Sequence, residues 1–310
     1  MNRSLALLQS HRVDGSSYSE EFTNKQIKNI FLNSENFSNS QYYNFSNFTK
    51  NIEYSGNGNW GDKISFTVNP GEGDFLMYIN LLLVLPSLSP NGGTFASWTN
   101  TIGYSIFSKL DIYSGGQFIA TMDSEALELL WAIKTEKDIF NSRNELVGRY
   151  SDINNLKNNA LNENRYLIPI PLWFSEKITE SLPLFASNEP WTFTFYLRNF
   201  DEVVNFDGEI PNEKKIRDLK LECGLSIVNA KIKHQFKNLL KKGDLKDLVT
   251  IPYLYKNTVI DTKFPSKEIF MVRRSKIAED NNDWFNYSEF GTGKQNLDSC
   301  LLYTSPSPRD

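Results

Sequence analysis

Cys223 and His234 are the two residues whose types could form a nucleophile and its base. Their spacing fits no established nucleophile motif. Cys223 also falls in one alternating row with Leu219, Leu221, Leu225 and Ile227, which marks it as a small core residue. Metal chemistry is short of ligands: the chain has 2 histidines, His11 and His234, and 2 cysteines, Cys223 and Cys300. Asp123, Glu125 and Glu128 could supply acid–base catalysis, but they bunch at the start of an expected helix, where carboxylates favour the helix dipole. Gly56-Asn-Gly58 and Gly71-Glu-Gly-Asp74 are glycine turns that lack the Lys-Ser/Thr of a phosphate loop. The lysine-rich run Lys237–Lys246 reads as a solvated face rather than a nucleic-acid or lipid site. Asn-x-Ser/Thr triplets at Asn2, Asn36, Asn44, Asn47 and Asn286 are what chance gives in a chain this rich in Asn and Ser. None of these sets assembles a catalytic centre, so no enzyme activity, cofactor or metal is expected.

The elements that would hold such residues point the same way. A chain of 310 residues suits two domains. With 33 basic and 37 acidic residues the net charge is −4, which excludes a strongly basic nucleic-acid binder. The 22 Phe, 14 Tyr and 6 Trp favour strands over helices. Leu5–Leu8 is shorter than a signal-peptide core of about 7–15 residues, and the longest apolar run, Phe75–Pro86, is shorter than the roughly 20 residues of a membrane helix.

Lys63–Val68 alternates without a fault, with Ile64, Phe66 and Val68 on one face, and predicts a half-buried strand. Phe75–Leu85 predicts a strand buried on both sides and stopped by Pro86. Ser105–Tyr113, Gly115-Gly116 and Gln117–Thr121 predict a hairpin. Asp123 or Ser124 can cap a helix over about 125–137 whose Leu127, Leu130 and Trp131 share a face. Residues 138–165 are Asn-rich and read as loop. Arg165–Phe174 carries two prolines and belongs at a sheet edge or next to bulges. Trp191–Arg198 alternates again, with Thr192, Thr194, Tyr196 and Arg198 outward. The charged stretch 201–217 reads as an interdomain linker, and Leu219–Ile227 as the opening strand of a second unit. Short strands, Pro/Gly turns and one helix between strands predict an all-β fold of sandwich or jelly-roll type.

In order along the chain, several segments resemble the double jelly-roll major capsid proteins of nucleocytoplasmic large DNA viruses and their relatives. Gly61–Val68 and then the run from Gly73-Asp74 to Leu85-Pro86 are similar to the family's first strand pair and its Leu-Pro stop. Trp98-Thr-Asn-Thr-Ile102-Gly103, followed by Gly115-Gly116-Gln117-Phe-Ile119, looks like its Trp…Ile-Gly…Gly-Gly-Gln signature. The helix with Glu125, Leu129 and Trp131 stands where the family has one, and Leu146-Val-Gly148 precedes a variable loop. Pro169, Pro171, Trp173, Phe174 and then Leu182-Pro183-Leu184 look like the family's proline strand, Trp-Phe and Leu-Pro-Leu segment. Leu7-Leu8-Gln9 and Tyr43, Phe45 and Phe48 are weaker echoes. The segment after Ile227, Asn229-Ala-Lys-Ile-Lys-His-Gln235, departs from the family's Asp and Glu-Arg pattern.

The resemblance implies tandem jelly-roll β-sandwiches, the first complete and the second truncated. The expected layout is an N-terminal arm at 1–24, a first jelly roll at 25–200, a linker at 201–218 and a partial second jelly roll at 219–299. Cys300–Asp310 resembles a translated sequencing adapter and is expected to be non-native. The implied role is structural: homotrimers of pseudo-hexagonal outline tiling an icosahedral shell, with minor capsid proteins, penton proteins and an internal membrane as neighbours and no specific nucleic-acid partner. The implied location is the virion, after synthesis in the host cytoplasm. Two other roles fit the composition less well. A carbohydrate-binding sandwich would use exposed aromatics such as Tyr42, Tyr43 and Trp98, and a cupin-type enzyme would need a histidine–carboxylate metal cluster.

Overall fold

The computed structural model describes residues 45–135, 139–150, 152–175, 180–187, 189–230 and 281–285, together with Lys233, His234, Lys237 and Asn238. Eight long strands build two antiparallel sheets. The first contains β1 (Phe45–Glu53), β3 (Phe75–Leu85), β7 (Asn164–Ile170) and β11 (Asp218–Val228), in the order β1-β11-β3-β7. The second contains β2 (Lys63–Val68), β5 (Phe107–Ser114), β6 (Gln117–Asp123) and β9 (Trp191–Leu197), in the order β2-β9-β5-β6. Strands close in sequence are thus dealt between facing sheets, and each sheet interleaves the two halves of the chain. This is the eight-stranded jelly-roll order. Two short pieces complete the set: β4 (Ala96–Trp98) pairs with β10 (Val204–Phe206), and β8 (Leu182–Pro183) pairs with the start of β3.

The core lies between the sheets, where the inward side chains of each strand meet. Ile79, Leu81, Leu83, Ile168, Leu221, Cys223 and Leu225 come from the first sheet, and Ile64, Phe66, Leu110, Ile112, Phe193 and Phe195 from the second, all buried. Alternation produces this directly, because successive strand side chains point to opposite faces. Edge-on ring pairs lock the second sheet, with Phe195 5.1 Å from Phe107 and 5.8 Å from Phe66 between centroids.

β2, β5, β6 and β9 form where alternation predicts them, and β7 lies at a sheet edge, where its one proline, Pro169, is tolerated. The tight hairpin after β5 holds Gly115 at φ 55° and Gly116 at φ 78°, two left-handed residues that glycine adopts without a Cβ penalty. β3 differs from expectation. Only one of its faces is fully buried, and Tyr78, Asn80, Leu82 and Val84 on the other are half-covered.

Two stretches correct the sequence reading more substantially. The region expected as loop carries helices. After α1 (Ser124–Lys134) come α2 (Phe140–Val147) and α3 (Ile153–Ala160). Their Asn-rich sequences have poor intrinsic propensity, and local caps together with packing on the sandwich supply what propensity lacks. Gly148 ends α2 at φ 70°, and the Asp152 side chain accepts the Asn154 N–H at 3.0 Å to start α3. α1 begins at Ser124 with Asp123 at its N-cap position, although no side-chain cap bond forms there.

The second correction concerns domain boundaries. The strand expected to open a second sandwich is β11, and it lies between β1 and β3 at the middle of the first sheet. Residues 201–218 are therefore no interdomain linker. They carry β10 and connect two strands of one sandwich, which runs from β1 to Val228. Beyond it, most of 231–299 falls outside the described residues, as do the arm 1–24, Tyr42, Tyr43, His11 and the segment 300–310. Among the described residues no helix is long and apolar enough to cross a membrane.

Candidate functional site

The motif residues converge on joints of the sandwich, not on an open pocket. At one rim, Gly73-Asp74 enters β3 beside the end of β11. Gly73 is buried so close to Leu225 that an added Cβ would sit 3.1 Å from its side chain. Asp74 is 7% exposed, and its backbone N–H donates to Ser226 at 2.8 Å. Its carboxylate accepts the Val228 N–H at 2.9 Å and meets Lys233 Nζ at 2.7 Å. Its carbonyl accepts the Leu184 N–H at 2.9 Å. One aspartate thus ties three chain segments, and Leu182-Pro183-Leu184 is the third, with Leu182 opposite Leu76 and Pro183 opposite Phe75.

A second joint gathers Ile102, Gly103 and Gly148. Gly103 lies in a one-turn helix (Ile102–Ser105) pressed against β7 and α2. A Cβ there would lie 2.6 Å from Ile168 and 3.2 Å from the Val147 backbone. At Gly148 a Cβ would lie 2.7 Å from the Tyr166 ring and 2.9 Å from Ile102. Thr101, at φ 58°, takes the left-handed conformation that a β-branched residue rarely adopts. It is held there by Asn100, whose side chain accepts from the Thr101 and Tyr150 N–H groups at 3.0 and 2.8 Å and donates to the Tyr150 carbonyl at 2.9 Å. Tyr104, fully buried, donates its hydroxyl to the Pro169 carbonyl. Burial, with Glu128 nearby, pushes its pKa well up.

Pro86 accepts the indole N–H of Trp98 at 3.3 Å. Trp98 is 2% exposed and stacks on Trp60 at 5.8 Å, with Phe200 edge-on at 6.0 Å. It therefore offers no ring face to a sugar. Gly115 donates its N–H to the Pro190 carbonyl at 2.9 Å, tying the hairpin to the start of β9, and Gln117 is exposed beyond it. Pro171 is half-buried, and Trp173 and Phe174 pack edge-on at 5.4 Å behind β7.

Among the described residues the chemistry considered from sequence is not assembled. Cys223 is wholly buried in mid-strand, where desolvation, with Glu72 and Glu222 adding, pushes its thiol up to about 12. His234 is exposed. Among the described residues no group of three His, Cys, Asp or Glu side chains comes together.

Sequence reasoning missed two charged centres. Glu128, 1% exposed, accepts from Arg143 at 2.9 Å and Arg149 at 2.8 Å, and Arg143 lies 4.4 Å over the Trp131 ring. Arg198, expected outward, is 7% exposed and donates to the Ser105 and Phe107 carbonyls at 2.8 and 2.7 Å. It stands just past the end of β9, where the strand's alternation no longer sets its direction.

This sandwich is similar to solved capsid-protein structures. The PBCV-1 Vp54 structure fitted into a reconstruction of the virophage Sputnik aligns with a TM-score of 0.53 at 16% identity, over 65% of this chain and 46% of that one. The Faustovirus major capsid protein aligns with a TM-score of 0.50 at 9% identity, over 73% and 66%. In sequence, the chain is 23% identical over 177 residues to the major capsid protein of Trichoplusia ni ascovirus 2c, covering 53% of this chain. It spans about a third of that relative's length, 36%. The family model for the major capsid protein N-terminus matches residues 36–203, more than half of the chain. The motif joints all lie in or beside that stretch, and the chain belongs to the major capsid protein N-terminus family.

Proposed function

We propose that this chain is a building block of an icosahedral virus shell. Its sandwich would be the first of two jelly rolls in a subunit, and three subunits would form a trimer of pseudo-hexagonal outline. The observation that carries this reading is where the motif residues lie. Asp74, Trp98, Ile102, Gly103, Gly148, Phe174, Leu182 and Leu184 are buried at joints between strands and helices. They fix the shape of a frame and leave its loops and sides for contacts, as a scaffold requires. Residues beyond Val228 would contribute to the second roll. Other capsid proteins and an internal membrane would be its neighbours in the virion, and its synthesis would take place in the host cytoplasm.

The test is expression of the open reading frame from the source locus, followed by light scattering on a sizing column and electron microscopy. A trimer with a threefold, six-sided projection is expected. A stable monomer at micromolar concentration would overturn the reading.

A further inference from the structure

Residues 281–285, Asn-Asn-Asp-Trp-Phe, return to the sandwich from 53 positions beyond the end of β11. They meet a cleft built from three elements: the 3-10 turn Phe200–Glu202, the one-turn helix Ile102–Ser105, and the arginines around Glu128. Phe285 is 3% exposed and lies edge-on to Tyr104 at 6.4 Å. Its carbonyl accepts from Arg149 at 3.4 Å. The Trp284 indole N–H donates to the Glu202 carbonyl at 2.9 Å, and the Arg198 guanidinium sits 4.4 Å over the Trp284 ring. Asn282, at φ 56°, turns the chain and donates from its side chain to the Asp201 and Val204 carbonyls at 2.8 and 3.3 Å.

Each partner in the cleft is prepared without the segment. Arg198 is fixed by the Ser105 and Phe107 carbonyls, Arg149 by Glu128, and the 3-10 turn by a capping box between Asn199 and Glu202. A cleft with fixed cations, aligned carbonyls and an apolar floor is a receptor for an aromatic peptide turn. We propose that it is a peptide-docking site, selective for an Asn-x-Trp-Phe turn, filled in cis by the chain's own residues 282–285. Its occupant ties the later part of the chain to the β-sandwich. The inference is independent of the assembly reading.

A docked segment covalently joined to its own site competes at an effective concentration of about millimolar. A labelled peptide spanning residues 279–287 should therefore bind the full chain carrying Trp284→Ala and Phe285→Ala saturably. It should bind the unsubstituted chain at least about tenfold more weakly, because the tethered copy competes. The same peptide with its own tryptophan replaced should not bind. Equal binding to both chains would overturn the proposal, as would no binding to a double variant whose β3 and β9 amides stay protected from hydrogen exchange.

The double variant removes part of the core and can fail to fold, so Asn282→Ala is measured beside it. Losing those side-chain hydrogen bonds should speed amide exchange over 281–285 by about tenfold and leave β3 and β9 unchanged. Unchanged exchange over 281–285 would overturn the proposal. Protection that falls on hundredfold dilution would show that the occupant comes from a second copy, which would overturn the cis assignment.

Discussion

At the scale of single residues, the frame depends on a few groups that have no exposure to spare. Glu128 carries a buried negative charge opposite two arginines. Glu128→Gln removes the charge and keeps the shape, so the buried Arg143 guanidinium loses its compensating carboxylate. A loss of about 3–5 kcal/mol is expected, seen as a fall in melting temperature on the order of 10 °C. Cys223 offers a second test. In a Cys300→Ser background its thiol should resist a thiol-reactive dye at pH 8 until denaturant unfolds the sandwich. Its folded pKa, about 12, is raised above the ordinary value of 9.0, so its contribution to stability is complete below pH 9 and is lost as pH rises toward 12. The melting temperature of Cys223→Ala should therefore fall less steeply than that of the parent between pH 9 and 11. Cys223 was legible as a core residue because its row of neighbours alternates. The ion cluster was not, since Arg143 and Arg149 stand 15 and 21 positions from Glu128 in an Asn-rich stretch with no period to read.

Strands and helices divide differently. The alternation of Lys63–Val68, Trp191–Leu197 and Leu219–Leu225 reveals which side of each strand faces the core, because side-chain direction is a local property of period two. Ile227, placed in the same inward row, is instead 49% exposed, with Ser226 and Val228 buried beside it. Pairing is not local. Nothing in Leu219–Ile227 names Phe45–Glu53 as its partner, and so β11 was legible as a strand and misplaced in a second unit. α2 and α3 were missed because their sequences do not favour helix on their own, and contacts to distant residues hold them. The position of β11 has a direct test. A chain ending at Arg217 leaves β1 and β3 with unpaired inner edges and should be recovered as aggregate. A chain ending at Asn238 keeps the strand and should be soluble and cooperatively folded, which sedimentation and thermal melting would check. Equal solubility of the two would show that β11 is dispensable.

For the whole molecule, the edges of the first sheet discourage growth by strand addition. β1 carries Lys50 and Glu53, each in an ion pair, and β7 carries Pro169, which has no N–H to donate. Copies would then meet through loops and sides, which suits the closed trimer proposed above better than an open stack of sheets. The jelly-roll class was legible from many short strands, Pro/Gly turns and motif order, whereas the extent of the roll was not, because its last strand lies beyond a charged stretch that resembles a boundary. That interleaved order also sets a schedule. Phe45 pairs with Val228, so β1 leaves the ribosome 183 residues before the strand it must lie against. At about 5–20 residues per second, the wait is roughly 10–40 s. Throughout translation of the intervening segment β1 and β3 have no shared neighbour. The nascent chain therefore waits with the central strand of this sheet not yet made, and the speed of the ribosome, more than the stability of the finished sandwich, governs how long those edges stay open to other nascent copies.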